Sequence, residues 1–149
     1  MVIKLNVTSI IVLDQDKALD FYVNKLGLEV GSDVKQGSFR WLTVRVPGDS
    51  GTEIQLLQPG PPVHDEATAE KLRQLVATGA LSGLVFVTDD CRGLYEKLKA
   101  RGVTEFTQEP NDNFYGIDMG VRDPFGNGIR FLQYTSAGRK SAKEPVAAG

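Results

Sequence analysis

The 149-residue sequence predicts an α+β fold that consists of two βαβββ modules. Three observations support this prediction. A strand-helix unit in residues 7–30 recurs in residues 83–106, both helices show apolar spacing that ends at a glycine, and three strand-like runs follow each copy. Each four-stranded sheet buries one face under its helix, so the opposite faces are predicted to form a concave cavity.

The first module is expected at about residues 4–60. Its helix begins after Asp14, a natural N-cap, and ends at Gly27. The residues with helical spacing between them are Ala18, Leu19, Phe21, Tyr22 and Leu26. The strand-like runs that follow are Leu28–Val34, Phe39–Val46 and Glu53–Leu57.

The second module is expected at about residues 81–135, after a connecting helix at about 65–79 whose apolar stripe holds Leu72, Leu75 and Val76. Asp89 or Asp90 caps its helix, and Gly102 ends it. The next runs, separated by the turns EPNDN and DPFGN, are Val103–Thr107, Gly116–Val121 and Gly128–Tyr134. Residues 1–135 are therefore predicted to form one domain, and residues 136–149 a disordered tail.

The composition excludes several classes of function. Seventeen Lys and Arg against 19 Asp and Glu give a net charge of -2, which provides no basic field for nucleic acid or anionic lipid. No apolar run approaches the length of a membrane span, and no signal peptide is expected. The single cysteine, Cys91, excludes an internal disulfide, so the expected location is the reducing cytoplasm.

Four motifs in the correct order resemble the vicinal oxygen chelate family, the group of glyoxalases, bleomycin-resistance proteins and extradiol dioxygenases. They are DQDKALDFYVNKLGL, RWLTVRVPG, LKARGV and RDPFGN. The resemblance covers roughly residues 4–134. It implies the paired βαβββ fold and a cavity, and it implies a scaffold but no particular reaction.

Enzymes of this family hold a divalent ion through His and Glu side chains at four positions. Counting from the helix caps and the last strands places these positions at Val7, Gln55, Gly83 and Arg130. None is a usual ligand, and a guanidinium repels a cation. The only histidine, His64, lies between the modules and is expected to be a surface loop residue. The sequence therefore predicts no metal and no other cofactor.

The strand alternation supplies the candidate ligand-binding residues. In the strand 39–46, Leu42, Val44 and Val46 are expected under the helix, and their neighbours face the cavity. The full candidate set on the cavity side is Phe39, Trp41, Thr43, Gln55, Asp118 and Arg130. Trp41 is expected as an aromatic wall and Arg130 as a polar anchor on neighbouring strands, for a carboxylate or a ring face. The alternatives are that the aromatic residues fill a dimer interface and that Arg130 pairs with Asp118.

Two functions remain open on the sequence alone. The first is a metal-free protein that binds a drug or an aromatic metabolite, as the bleomycin-resistance members do in antibiotic resistance. The second is a metal-dependent lyase of the glyoxalase type, or a dioxygenase, whose ligands come from other positions. The loss of all four donors favours the binding protein over an enzyme. No catalytic residue is assigned, since Cys91 has no histidine beside it in the sequence and the aspartates have simpler roles as caps and turns. The resemblance also implies a homodimer that completes its clefts across a twofold axis.

Overall fold

The computed structural model describes residues 1–49, 51–81 and 83–136, and it confirms the α+β fold of two βαβββ modules. Each module forms an open four-stranded sheet, in the orders β1-β4-β3-β2 and β5-β8-β7-β6. The strands are β1 (Val7–Ile11), β2 (Glu29–Gln36), β3 (Phe39–Arg45), β4 (Glu53–Leu57), β5 (Leu84–Val87), β6 (Phe106–Asn113), β7 (Gly116–Arg122) and β8 (Gly128–Tyr134).

The helices follow the predicted caps. Asp14 accepts a hydrogen bond from the Lys17 amide at the start of α1 (Gln15–Leu19), which continues as a π-helical segment, Asp20–Lys25. Asp65 caps α2 (Glu66–Ala77) in the same way, so the connecting helix is confirmed. Of the two aspartates predicted for the second module, Asp90 caps α3 (Cys91–Ala100). Gly27 and Gly102 have positive φ angles of 86° and 95°, which explains why both helices end there.

The core lies on one face of each sheet, as the alternation predicts. Leu42 and Val44 of β3 and Leu56 of β4 are fully buried in the first sheet. In the second sheet the buried apolar side chains of β7 and β8 are Met119, Val121, Ile129 and Phe131. Val46 was expected among the buried residues of the first sheet, but β3 ends at Arg45 and Val46 is exposed. Leu75 of α2 is also exposed, so the buried stripe of that helix is narrower than its spacing indicates.

The prediction for β6 is wrong. The strand was expected to end at Thr107 with EPNDN as a turn, but it begins at Phe106 and runs through that segment to Asn113. Two register shifts interrupt its pairing with β7. The strand tolerates Pro110 because β6 is an edge strand, where a missing N–H donor costs no ladder hydrogen bond if it faces outwards.

The chain divides into two compact units. The first unit comprises residues 1–83 and 123–127, and the second comprises residues 84–122 and those from 128 onwards. The predicted tail, residues 136–149, lies almost wholly outside the described residues. The boundaries of a single domain at 1–135 stay a prediction. None of the described helices is long and apolar enough to span a membrane.

Candidate functional site

In the first unit, a polar row crosses all four strands on the face opposite the apolar core. Its members are register partners in neighbouring strands, in the order Ser9 of β1, Gln55 of β4, Thr43 of β3 and Ser32 of β2. The Ser9 hydroxyl donates to Gln55 Oε1 at 2.7 Å, and the Ser32 amide donates to Thr43 Oγ1 at 2.9 Å. Thr43 Oγ1 in turn donates to Glu53 Oε1 at 2.5 Å. We call Ser9, Gln55, Thr43 and Ser32 the first row.

In the second unit, the equivalent row reads Val85, Arg130, Gly120 and Gln108 across β5, β8, β7 and β6. We call these four residues the second row. Arg130 Nη2 donates to Gln108 Oε1 at 2.9 Å, a contact that reaches over Gly120 because glycine has no side chain. The same nitrogen lies 2.5 Å from Asp118 Oδ2. Of the alternatives open for Arg130, the pair with Asp118 is therefore present.

Asp118 lies at the centre of a saturated hydrogen-bond network. Besides Arg130, its oxygens accept from Tyr115 Oη at 2.8 Å, Asn113 Nδ2 at 3.0 Å and Gln108 Nε2 at 3.2 Å. Burial alone would raise the pKa of Asp118, but the hydrogen bonds from Arg130 and Tyr115 together with the guanidinium charge lower it. The carboxylate is therefore ionised at neutral pH, and its charge offsets that of Arg130.

We expect Gly120→Ala to destabilise the protein by about 1–3 kcal/mol, the usual cost of overpacking a buried position. A Cβ at Gly120 collides with Thr107 Oγ1 and comes within 3.1 Å of Arg130 Nη1. Gly128→Ala is the matched control, because a Cβ at Gly128 has no neighbour within 4 Å. Urea denaturation of both variants checks the prediction, and equal midpoints would contradict the described closeness of Thr107 and Arg130 to Gly120.

The predicted ligand-binding residues fall into two sets. Phe39, Trp41, Thr43 and Gln55 belong to the first unit, and Asp118 and Arg130 belong to the second. Trp41 and Arg130 were expected on neighbouring strands, but β3 and β8 lie in different sheets. The expectation failed because alternation gives the face of a residue and carries no information on which strands are paired.

Burial separates the members of the first set. Thr43 is fully buried and Gln55 nearly so, whereas Trp41 and Phe39 are half-buried. Trp41 is the register partner of Val34 on β2, and 57% of Val34 is exposed. Phe39 lines a surface pocket of about 260 Å³ together with Gln15, Ser38, Arg40, Gln58, Pro59, Gly60 and Pro61.

Sequence reasoning missed the polar partners of these residues. Glu53 stands two positions before Gln55 on the same strand, so the period of two was a signal that would have found it. Tyr115 and Asn113 lie at a hairpin end, and Gln108 lies in the misassigned strand β6. No local pattern predicts that these three side chains turn towards Asp118.

The other candidate groups have no catalytic arrangement. Cys91 is buried, its Sγ lies 3.9 Å from the Phe131 carbonyl oxygen, and burial raises the pKa of its thiol. A thiol with a raised pKa is a poor nucleophile. His64 is in a loop, as expected, but it is half-buried, and its Nδ1 has no hydrogen-bond partner among the described residues.

The family model of the glyoxalase/bleomycin resistance protein/dioxygenase superfamily matches residues 4–131 of the sequence. The chain belongs to this superfamily. The chain is similar to the uncharacterized protein YurT of Bacillus subtilis strain 168, which is 41% identical over 131 residues that cover 87% of this chain and 98% of YurT.

Two solved structures are similar to this chain in both fold and sequence. The crystal structure of UcmS2 is 39% identical with a TM-score of 0.83, and the match covers 89% of this chain and 99% of UcmS2. TnmS3, an antibiotic binding protein from Streptomyces sp. CB03234, is 29% identical with a TM-score of 0.70 over 90% of this chain and 98% of its own. The neighbours of this chain in the superfamily therefore include an antibiotic-binding protein.

The residues present do not fit the metal that enzymes of this superfamily bind. Val7 offers no donor atom, and Gln55 Oε1 accepts from Ser9. Gly83 has no side chain, and Arg130 is a cation paired with Asp118. Among residues 1–49, 51–81 and 83–136, no group of three or more His, Cys, Asp or Glu side chains is arranged to hold a metal ion. The geometry therefore gives no basis for a metal-dependent step.

Proposed function

We propose that this chain is a metal-free binding protein for a small organic molecule, a drug or an aromatic metabolite. The observation that carries the proposal is that none of the four positions implied by the family resemblance offers a free metal donor, since Val7 and Gly83 have no donor atom in their side chains. Gln55 is engaged by Ser9 and Arg130 by Asp118. Such pairs fix polar groups on a sheet face without supplying an open coordination position, which catalysis at a metal requires.

The similarity to TnmS3 supports binding as the function, because that relative is an antibiotic binding protein and matches this chain along nearly its whole length. Composition points the same way. A ligand site needs apolar and aromatic walls with a few fixed polar groups. The first unit has Trp41 beside the exposed Val34, and the second has Arg130 beside the exposed Val85.

The residues proposed for binding in each unit differ in their expected roles. Trp41 and Phe39 are half-buried and provide ring faces for stacking. Arg130 is the more accessible partner of its ion pair with Asp118. Thr43, Gln55 and Asp118 are buried, so we assign them the role of holding their neighbours in position. A cytoplasmic location stays a prediction.

A fluorescence titration tests the proposed function. Trp41 is the sole tryptophan, so its emission reports a ligand near β3 without a label. Screening aromatic acids and peptide antibiotics should yield a saturable change that Trp41→Leu abolishes optically. Arg130→Ala should weaken the affinity for a ligand of the second unit. A library in which no compound binds the wild-type protein, by fluorescence or by calorimetry, would contradict the proposal.

We also expect the protein to be a homodimer in solution, since exposed apolar groups on both sheets become buried when two copies associate. Val30 of β2 is 41% exposed, and Phe114 at the hairpin between β6 and β7 is 79% exposed. Multi-angle light scattering at micromolar concentration should give twice the chain mass of 16.2 kDa. A monomer at that concentration would contradict the expected dimer. It would not contradict the binding proposal, which rests on residues of one chain.

A further inference from the structure

The ion pair between Asp118 and Arg130 is unequally exposed. Of the two side chains, Asp118 is 5% exposed and Arg130 is 39% exposed. The four hydrogen bonds that described residues donate to Asp118 all come from within the second unit, so its carboxylate has little capacity left for a ligand. The guanidinium of Arg130 donates its hydrogen bonds to described residues only through Nη2. A bound molecule therefore meets the guanidinium first.

The guanidinium of Arg130 lies over Gly120, its register partner on β7, and Val85 is the register partner of Arg130 on β5. Val87 lies two residues along β5, on the same face as Val85. Both valines are largely exposed, so they place an apolar surface on the strand next to Arg130. We call Val85, Val87, Gly120 and Arg130 the arginine platform.

The charge on the arginine platform is already offset. Asp118 holds the position next to Arg130 Nη2 that the carboxylate of an anionic ligand would take. An incoming anion would either displace Asp118, which leaves a buried charge without its partner, or approach a pair whose net charge is zero. A neutral ring pays neither cost, because a guanidinium stacks on an aromatic face while keeping its hydrogen bonds in the plane.

We propose that the arginine platform binds uncharged planar aromatic groups in preference to aromatic carboxylates, and that Asp118 sets this preference. The inference rests on the proposed function and narrows its ligand class. The sequence left two partners open for Arg130, a carboxylate and a ring face. The pair with Asp118 favours the ring face.

A matched pair of probes tests the preference. Indole-3-acetamide and indole-3-acetate share one planar ring system and differ in charge. Isothermal titration calorimetry of the wild-type protein at neutral pH should give the amide a Kd lower by at least about tenfold, which corresponds to about 1.4 kcal/mol. Asp118→Asn retains the shape and a hydrogen-bond acceptor but removes the negative charge. It should shift the ratio of the two Kd values by at least about tenfold towards the carboxylate, the scale of one charge interaction near a protein surface.

Two further variants make the test specific. Asp112→Asn changes the net charge equally, at an exposed residue that pairs with Arg92, and should leave the ratio unchanged. Val87→Lys adds a positive charge to the arginine platform at an exposed position without touching the buried pair. It should also shift the ratio towards the carboxylate, and it replaces Asp118→Asn if that variant does not fold.

The outcomes separate this inference from the proposed function. A wild-type protein that binds the carboxylate as tightly as the amide overturns the inference while small-molecule binding stands. The same conclusion holds if Asp118→Asn and Val87→Lys both fold and leave the ratio unchanged. If neither probe binds, the arginine platform is not an aromatic site and the inference fails, whereas the proposed function is judged by the separate Trp41 titration.

Discussion

Asp123→Ala is expected to lower the free energy of unfolding by about 3 kcal/mol or more, because each buried donor left without its acceptor costs about 1–3 kcal/mol. Asp123 is buried in the loop between β7 and β8, which belongs to the first unit. Its Oδ1 accepts from the amides of Phe125, Gly126 and Asn127 at 2.8–2.9 Å. Its Oδ2 accepts from Tyr22 Oη at 2.6 Å and from Asn127 Nδ2 at 2.8 Å.

Two milder variants control for this change, and urea denaturation measures all three. Asp123→Asn keeps one oxygen for the backbone amides and should cost clearly less than alanine. Tyr22→Phe removes a single hydrogen bond from the carboxylate and should also cost less. If Asp123→Ala and Asp123→Asn unfold at the same urea concentration, the three amide contacts do not hold the loop as described.

Leu56→Ala is expected to cost about 2–5 kcal/mol, the range measured for buried leucine truncations. Leu56 is fully buried on β4, directly after Gln55 of the first row. The prediction tests the register of this strand, since a slip of one residue would exchange the faces of Leu56 and Gln55.

Leu75→Ala is the matched control in the same unit. It is the same chemical change at a leucine that is 45% exposed on α2, so the expected loss is well under half of that for Leu56→Ala. The two thermal or urea midpoints provide the comparison. A loss at Leu75 equal to that at Leu56 would mean that the described faces of β4 or α2 are wrong.

Much of the fold could be predicted because its signals are local. The alternation of Ile54, Gln55 and Leu56 gives the two faces of β4, and Asp14 and Asp90 mark helix starts through their own side-chain chemistry. The prediction for β6 failed because it relied on a local signal alone. Pro110 is a turn signal in most settings, and the sequence contains no information that β6 would be an edge strand.

The parts that could not be predicted depend on contacts between distant residues. Asp123 was correctly interpreted as a turn former, but its bond to Tyr22 joins residues 101 positions apart. Asp118 accepts hydrogen bonds from Tyr115 and Asn113 at the hairpin between β6 and β7. The sequence did not predict this hairpin, because it placed the end of β6 at Thr107. The π-helical segment Asp20–Lys25 was also not predicted, because the apolar spacing of Phe21, Tyr22 and Leu26 fits an α-helix equally well.

The metal content of the purified protein is the most direct measurement of whether this chain has lost the metal site of the superfamily's enzymes. The positions that the family resemblance implies for the ligands hold only Val7, Gln55, Gly83 and Arg130. Inductively coupled plasma mass spectrometry should be run on protein expressed with supplemented Zn, Ni, Mn and Fe and purified without chelators or a histidine tag. We expect each metal to stay far below one equivalent per chain, whereas close to one equivalent of any tightly held metal would show that the protein is not metal-free.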